Sequence, residues 1–236
     1  MSECIIENAS HFIGTPYVAG TLDESSKESL VCRSDGFDCV TFVEYILALS
    51  MYQTKGKYAG LAIPDIIQKL RYRNGEIEGY GSRIHYFTEW ILQTEKSDIL
   101  QNITSSLSKT VYDKQINFMS QHVSKYPKLT EKKEVDKIKK SESLINSKIS
   151  FYIPKENIKN ISQFLQNGDI IAITTNIAGL DFVHTGFIIW IDKNPHLIHA
   201  SSDGGQVMIT HESLSDYLKN NKSPSGIVVL RTNDTP

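Results

Sequence analysis

The sequence of 236 residues has no long apolar run, little net charge and few cysteines. No apolar stretch approaches the ~20 residues that a transmembrane helix needs, so we expect no stable insertion into a membrane. The formal net charge is −2, which gives no electrostatic reason to expect nucleic acid as a partner. Cys4, Cys32 and Cys39 show no Cys-x-x-Cys spacing, so a disulfide framework is not predicted. The sequence leaves open whether Cys4 and Cys32 form a disulfide bond.

The N-terminal residues lack a charged segment followed by an apolar one, so we recognise no signal peptide within this chain. A chain from which such a peptide had been removed would look the same. Hydrophobic residues make up 40% of the composition, which is enough for a substantial core. The length fits one domain, or one domain that carries a large insertion.

The hydrophobic pattern changes its character after residue 166. Residues 1–55 predict a short helix, a turn at 14–17, a polar loop and a second helix, and residues 56–166 predict mainly helices. Beyond Asn167-Gly168, β-branched and aromatic runs between turn residues predict strands at 169–174, 182–191, 196–200, 206–210 and 226–231. Helices followed by a mostly antiparallel sheet make an α+β fold.

Cys39 lies where a polar loop meets an apolar helix. Asp38 is a good N-cap, and the apolar residues that follow recur at helical spacing, so Cys39 falls in the first turn. There the free backbone N–H groups and the helix dipole favour a thiolate and can receive an oxyanion. The alternative is a small buried hydrophobic residue, because cysteine is among the most buried residue types.

Two histidines supply possible partners for this thiol. His184 opens one predicted strand and His199 lies in the next, and a turn at 193–195 would bring both imidazoles to the same end of the sheet. His184 could then act as the base and His199 could fix its tautomer. Either histidine alone could be a buried structural residue. One cysteine and two histidines could also bind zinc, but the compact ligand spacings usual for zinc are missing, so no metal or cofactor is predicted.

Motifs in chain order carry a family resemblance: Gly14-Thr15-Pro16-Tyr17, Phe37-Asp38-Cys39-Val40-Thr41-Phe42-Val43-Glu44, Arg71-Tyr72-Arg73-Asn74-Gly75, Ser82-Arg83-Ile84-His85-Tyr86-Phe87-Thr88-Glu89-Trp90, Asn167-Gly168-Asp169-Ile170, Gly179-Leu180-Asp181-Phe182, His184-Thr185-Gly186 and His199-Ala200-Ser201. Together they resemble the N-acetylmuramoyl-L-alanine amidase-like branch of the NlpC-type papain-like cell-wall hydrolases. The resemblance spans nearly the whole chain. It implies one papain-like catalytic domain over residues 1–236, with a nucleophile helix packed on the sheet. Residues 56–166 would be a mainly helical insertion that shapes the cleft.

The resemblance also assigns roles to residues. It implies Cys39 as the nucleophile, His184 as the base, His199 as the residue that orients it, and the Tyr17 hydroxyl as an oxyanion donor. An arginine can hold a stem-peptide carboxylate, and an aromatic ring can stack on a sugar. The alternative for each such residue is an ordinary surface side chain that bonds a local partner. The expected substrate-binding residues are Asp38, Thr41, Arg83, His85, Tyr86 and Asp181.

The implied function is hydrolysis of the N-acetylmuramoyl-L-alanine amide bond of peptidoglycan or muropeptide fragments. A γ-D-glutamyl-diamino acid endopeptidase and an inactive muropeptide-binding module are the alternatives. In the superfamily's endopeptidases, serine usually follows the cysteine and helps hold a free amine, whereas this chain has Val40, which favours the amidase. A periplasmic or secreted location in a bacterium is expected, with a cytoplasmic one left open. The sequence does not determine the oligomeric state.

Overall fold

A computed structural model describes residues 1–54 and 56–233 and shows an α+β fold, as the sequence predicts. Short 3₁₀ turns connect several of the elements. The described helices are α1 (Ser2–His11), α2 (Cys39–Thr54), α3 (Ile63–Arg71), α4 (Phe87–Lys96), α5 (Thr104–Leu107), α6 (Phe118–Gln121), α7 (Lys132–Asn146), α8 (Ile158–Ile161) and α9 (Leu214–Asn220). The described strands are β1 (Leu100–Asn102), β2 (Ile153–Pro154), β3 (Ile170–Thr175), β4 (Phe182–Ile191), β5 (Asn194–Ser201), β6 (Gln206–Ile209) and β7 (Pro224–Thr232).

The strands form one antiparallel sheet with the order β1-β7-β3-β4-β5-β6, and β2 also pairs with β7. All five strands predicted after residue 166 are present, with ends that differ by a few residues. Two further strands, β1 and β2, come from the block predicted to be mainly helical. Each has only two or three residues, which is too short for an alternating pattern to reveal it.

The turn between β4 and β5 lies earlier than predicted. Asp192 and Lys193 form it, with φ angles of 46° and 68°, and Asn194 already pairs with Ile191 across the ladder. Two consecutive left-handed residues are typical of a two-residue hairpin turn. Pro195 therefore belongs to β5 and not to the turn, because a tight two-residue turn needs no third residue.

Helices cover both faces of the sheet. On one face α2 packs on β4 and β5, and Phe42 meets Phe187 edge-on with ring centroids 5.9 Å apart. On the other face α8 and α9 cover alternate residues of the same strands, including Ile188 and Leu197. Helix α2 is apolar on most sides because α1, α3 and the sheet surround it. Full burial of a side chain such as Phe42 contributes about 2 kcal/mol.

A third apolar cluster lies within the block 56–166. It joins α7 to the segment around Tyr80, Tyr86, Ile116 and Met119. All three cysteines have free thiols, so the bridge that the sequence left open between Cys4 and Cys32 does not form. Within residues 1–54 and 56–233, none of the helices is both long and apolar enough to cross a membrane.

Candidate active site

Cys39 is the first residue of α2, and a pair of side-chain hydrogen bonds fixes this helix start. The Thr41 backbone N–H donates to Asp38 Oδ1 at 2.8 Å, and the Asp38 backbone N–H donates to Thr41 Oγ1 at 2.9 Å. This reciprocal cap confirms Asp38 as the N-cap and satisfies the N–H group of Thr41, while the N–H groups of Cys39 and Val40 are not bonded by the cap. Asp38 and Thr41 bond to each other here, so their expected substrate contacts remain predictions.

The Cys39 thiol is neutral, contrary to the expectation from the helix dipole. Burial raises the pKa of Cys39 to about 12, and the negative charge of Asp38 adds to this effect. The backbone N–H groups of Thr185, Cys39 and Val40 lie near the sulfur and lower its pKa, but burial outweighs them. Thr185 directly follows His184, so its contact with the sulfur also places the thiol beside the base predicted from the sequence.

His184 and His199 lie on adjacent strands and contact each other. Their register places His199 opposite Gly186, so the two side chains share one face of the sheet. His184 Nε2 lies 2.5 Å from His199 Nδ1, and the rings meet edge-on at 4.7 Å. A Cβ atom on Gly186 would lie 2.8 Å from the Cβ of His199 and 2.8 Å from the Ile198 carbonyl oxygen, so glycine provides the space for this histidine.

Both imidazoles are held in the neutral form. Burial lowers the pKa of His184 to about 4. Burial and the neighbouring His184 lower the pKa of His199 to about 3, while the Asp203 carboxylate acts in the opposite direction. A neutral imidazole has one donor and one acceptor nitrogen. If His184 Nε2–H donates to His199 Nδ1, the other nitrogen of His184 is free to accept a proton.

Tyr17 is held beside the helix start by backbone contacts on both sides. Its N–H donates to the Gly205 carbonyl at 2.8 Å, and residue 17 bridges to Phe37. Burial raises the pKa of Tyr17, and negative charge on Asp38, or on Cys39 when it is ionised, raises it further. The phenol therefore keeps its proton and can donate a hydrogen bond near the thiol.

A cavity of about 140 Å³ opens beside Cys39. It is lined by residues 39, 40, 44, 84–87, 90 and 180–185, which brings α2, α4 and the start of β4 together. Three of the expected substrate-binding residues, His85, Tyr86 and Asp181, line it. In the described part of the chain, no group of three or more histidine, cysteine, aspartate or glutamate side chains is arranged to hold a metal.

The polar atoms of Tyr86 and Asp181 are already occupied. The Tyr86 hydroxyl donates to Glu142 Oε1 at 2.7 Å and accepts from the Met119 N–H at 2.8 Å, so only its ring is available to a ligand. Asp181 accepts hydrogen bonds from the backbone and side chain of Thr88 at 2.8 and 2.9 Å. This carboxylate joins the start of α4 to the start of β4, and its substrate contact remains a prediction.

Arg83 contacts other protein groups, and its expected role in substrate binding remains a prediction. Its guanidinium does not line the cavity but donates to the Leu22 carbonyl at 2.8 Å and to Asp23 Oδ1 at 2.6 Å. Buried Glu28 lies 3.5 Å away, and the guanidinium also stacks over the Tyr80 ring at 4.8 Å. A buried charge needs such partners, so Arg83 fixes the loop around residues 22–28.

Arg83→Ala is therefore expected to lower the free energy of unfolding by about 3 kcal/mol, because it leaves the buried Glu28 carboxylate without its cation. Urea unfolding followed by circular dichroism measures this change. Arg33→Ala is the control, since Arg33 pairs with the exposed Asp35 in water and its loss should leave the free energy of unfolding nearly unchanged. Unchanged stability with a raised KM would support substrate binding by Arg83.

Sequence reasoning missed several residues of this site. Glu44 lines the cavity and is held by buried Arg71 at 2.7 Å, and a single acid in an otherwise apolar helix was the available signal. Tyr217 of α9 packs edge-on against His199 at 5.7 Å, and no local pattern marks it. Trp90 and Thr185 also line the cavity, although both fall within motifs that the sequence analysis recognised.

Solved structures of other proteins share this architecture. An N-acetylmuramoyl-L-alanine amidase from Bacteroides uniformis ATCC 8492 is 36% identical, with a TM-score of 0.92 and 99% of each chain covered. A second structure is that of a Bacteroides fragilis protein, which is provisionally named a xylanase. It is 37% identical, with a TM-score of 0.88, over 96% of this chain and 99% of its own. A Legionella pneumophila str. Philadelphia 1 protein, 23% identical with a TM-score of 0.68 over 98% of this chain and 88% of its own, shares the fold alone.

No functionally curated protein matches this chain significantly. A family model described as N-acetylmuramoyl-L-alanine amidase-like matches residues 7–227, which is nearly the whole chain. The B. uniformis structures agree with that match in both sequence and fold. This chain belongs to the N-acetylmuramoyl-L-alanine amidase-like family.

Proposed function

We propose that this protein is a cysteine amidase that hydrolyses the amide bond between the lactyl group of N-acetylmuramic acid and L-alanine. The observation that carries the proposal is the position of Cys39 at the start of α2, beside the backbone of Thr185 and in one cavity with the paired His184. Membership of the amidase-like family supports cleavage of the same amide bond.

The reaction begins with a neutral thiol beside a neutral base. The Cys39 sulfur attacks the lactyl carbonyl as His184 takes the thiol proton, which avoids a free thiolate in a buried site. The Tyr17 hydroxyl and the N–H groups at the start of α2 would stabilise the oxyanion. The C–N bond then breaks, and His184 returns the proton to the alanine amine. Water, deprotonated by His184, hydrolyses the muramyl thioester and restores the thiol.

We further propose that residues 1–236 form one papain-like catalytic domain. Helix α2 on the antiparallel sheet supplies the core, and residues 56–166 supply an insertion that walls the cleft. Residues 84–87 and 90 support this assignment, because they form one side of the cavity while the catalytic residues form the other. A peptidoglycan substrate would place the enzyme outside the cytoplasm of a bacterium.

A glycosidase activity, which the name of the B. fragilis relative raises, has little support in the cavity. Glycoside hydrolysis generally uses a pair of free carboxyl groups flanking the bond. The two carboxylates that line this cavity are both engaged, since Glu44 pairs with Arg71 and Asp181 accepts bonds from Thr88. Neither is free to protonate a glycosidic oxygen.

Incubation with purified disaccharide-peptides, followed by mass spectrometry, tests the proposal. We expect free disaccharide and an intact stem peptide that begins with L-alanine. Cleavage within the stem would identify a γ-D-glutamyl-diamino acid endopeptidase instead. Binding without any product would identify an inactive muropeptide-binding module. Xylan incubated in parallel should release no reducing sugar.

A further inference from the structure

Tyr217 of α9 contacts His199, the residue proposed to orient the base. The two rings meet edge-on, with centroids 5.7 Å apart and an angle of 75° between their planes. Edge-to-face pairs favour one relative orientation, because the electropositive edge of one ring meets the electronegative face of the other. Tyr217 therefore restricts how the His199 ring can turn.

The orientation of the His199 ring matters because its two edges differ. In the proposed reaction Nδ1 of His199 accepts the Nε2–H of His184, which lies 2.5 Å away. The torsion about the bond from Cβ to the ring is roughly two-fold, so a half-turn is the main alternative. A half-turn would put a C–H group in the place of Nδ1, and a C–H group cannot accept that proton. The tautomer of His184 would then no longer be fixed.

Hydrogen bonds alone do not hold this ring. Among the described residues, the contact with His184 is the one hydrogen bond that the His199 side chain makes. Gly186 lies against the Cβ of His199, where it leaves room for the side chain without fixing the direction of the ring. The contact with Tyr217 is a second, directional constraint on the imidazole.

The helix that carries Tyr217 is itself fixed. Ser213 caps α9 by accepting a hydrogen bond from the backbone N–H of Asp216, and the Asn221 side chain donates to the Tyr217 carbonyl at 2.8 Å. Helix α9 packs on β5, the strand that carries His199, and Tyr217 also packs against the apolar cluster on this face of the sheet. A side chain on a fixed element can hold a neighbouring ring in place.

The ring of Tyr217, and not its hydroxyl, makes the contact with His199. Burial raises the pKa of Tyr217, and the negative charge of Asp203 raises it further, so the phenol stays neutral. Within residues 1–54 and 56–233 the hydroxyl makes no hydrogen bond to protein. The contact therefore depends on the aromatic ring, which phenylalanine would also supply.

We propose that Tyr217 is a positioning residue for the amidase reaction, and that its ring holds the His199 imidazole with Nδ1 directed towards His184. The proposal rests on the proposed function, because it gives Tyr217 a part in that reaction. Since Tyr217 acts through His199, its loss should cost no more activity than the loss of the imidazole itself.

The kinetic test compares two substitutions of Tyr217. Tyr217→Phe keeps the ring, so kcat on a muramoyl-peptide should stay within about twofold of the wild type. Tyr217→Leu keeps an apolar side chain but removes the ring contact, so it should lower kcat roughly 10-fold with KM nearly unchanged. Trp190→Leu is the matched control, because Trp190 packs against the same apolar cluster but lies opposite Pro195 on the ladder, away from His199. Its kcat per folded molecule should equal that of the wild type.

A double substitution separates positioning from any other role of Tyr217. His199→Ala protein has no imidazole to hold, so the addition of Tyr217→Leu should leave its kcat unchanged. Losses that multiply would show that Tyr217 acts independently of His199. Equal losses in Tyr217→Phe and Tyr217→Leu would assign the effect to the hydroxyl. Either result would overturn the proposal, as would wild-type activity in Tyr217→Leu or in His199→Ala.

A measurement on the resting protein does not depend on turnover. Nuclear magnetic resonance of ¹⁵N-labelled histidine reports which ring nitrogen carries the proton, and His199→Asn identifies the His199 signals among the seven histidines. The wild type and Tyr217→Phe should show the His199 proton on Nε2 alone, whereas Tyr217→Leu should show both tautomers. An unchanged tautomer in Tyr217→Leu would overturn the proposal. Absence of amide cleavage by a wild type that shows the expected tautomer difference would instead refute the proposed amidase.

Discussion

Cys39→Ala is expected to reduce muramoyl-peptide cleavage at least about 10⁴-fold while leaving the fold intact, because the sulfur forms the covalent intermediate. The start of α2 depends on the hydrogen bonds between Asp38 and Thr41, which do not involve the side chain of residue 39. Alanine also favours a helix, so the free energy of unfolding should change by less than about 1 kcal/mol. Product release measured by liquid chromatography and mass spectrometry gives the rate, and urea unfolding gives the stability.

Cys32→Ala is the matched control for this substitution. Cys32 is an exposed free thiol in the loop before α2, and it should be dispensable for turnover. An acid quench of the wild type during turnover should trap the acyl group on the peptide that contains Cys39 and on neither of the other cysteines. More than about a percent of activity remaining in Cys39→Ala would contradict covalent catalysis by this residue.

The sequence predicts well those features that depend on neighbouring residues. The N-cap at Asp38, the helix after Cys39 and the five strands after residue 166 follow from local spacing and turn chemistry, and the structure confirms them. The pairing of His184 with His199 follows from a hairpin whose two strands are adjacent in the chain. A hairpin is the one long-range contact that local patterns specify strongly.

Features that depend on distant segments could not be predicted. Arg83 is directed away from the cavity because Asp23 and Glu28 lie beside it, and nothing in the motif around Arg83 shows that the loop returns there. The pKa of Cys39 depends on distant segments for a related reason. The helix dipole is a local property, whereas the burial that raises the pKa of the thiol comes from the whole fold.

His184→Ala is expected to lower kcat roughly 10³- to 10⁴-fold, because no other group in the proposed mechanism can take the thiol proton. His199→Asn should be much milder, with a loss of about 10-fold, since an amide oxygen can still accept the His184 N–H and hold its tautomer. His199→Ala removes that acceptor and should cost about 100-fold. Steady-state kinetics on one muramoyl-peptide ranks the three variants.

His196→Asn is the control on the same strand. The His196 ring lies on the opposite face of β5 and bonds the Thr210 carbonyl at 2.9 Å, so its replacement should leave kcat unchanged. The order of the kcat values of the three site variants distinguishes an orienting role of His199 from a structural role. A structural role predicts loss of stability with little difference between asparagine and alanine at residue 199 after correction for folded protein. An orienting role predicts equal folding and a clear difference in kcat. Activity equal to the wild type in both His199 variants would leave His184 to act without His199.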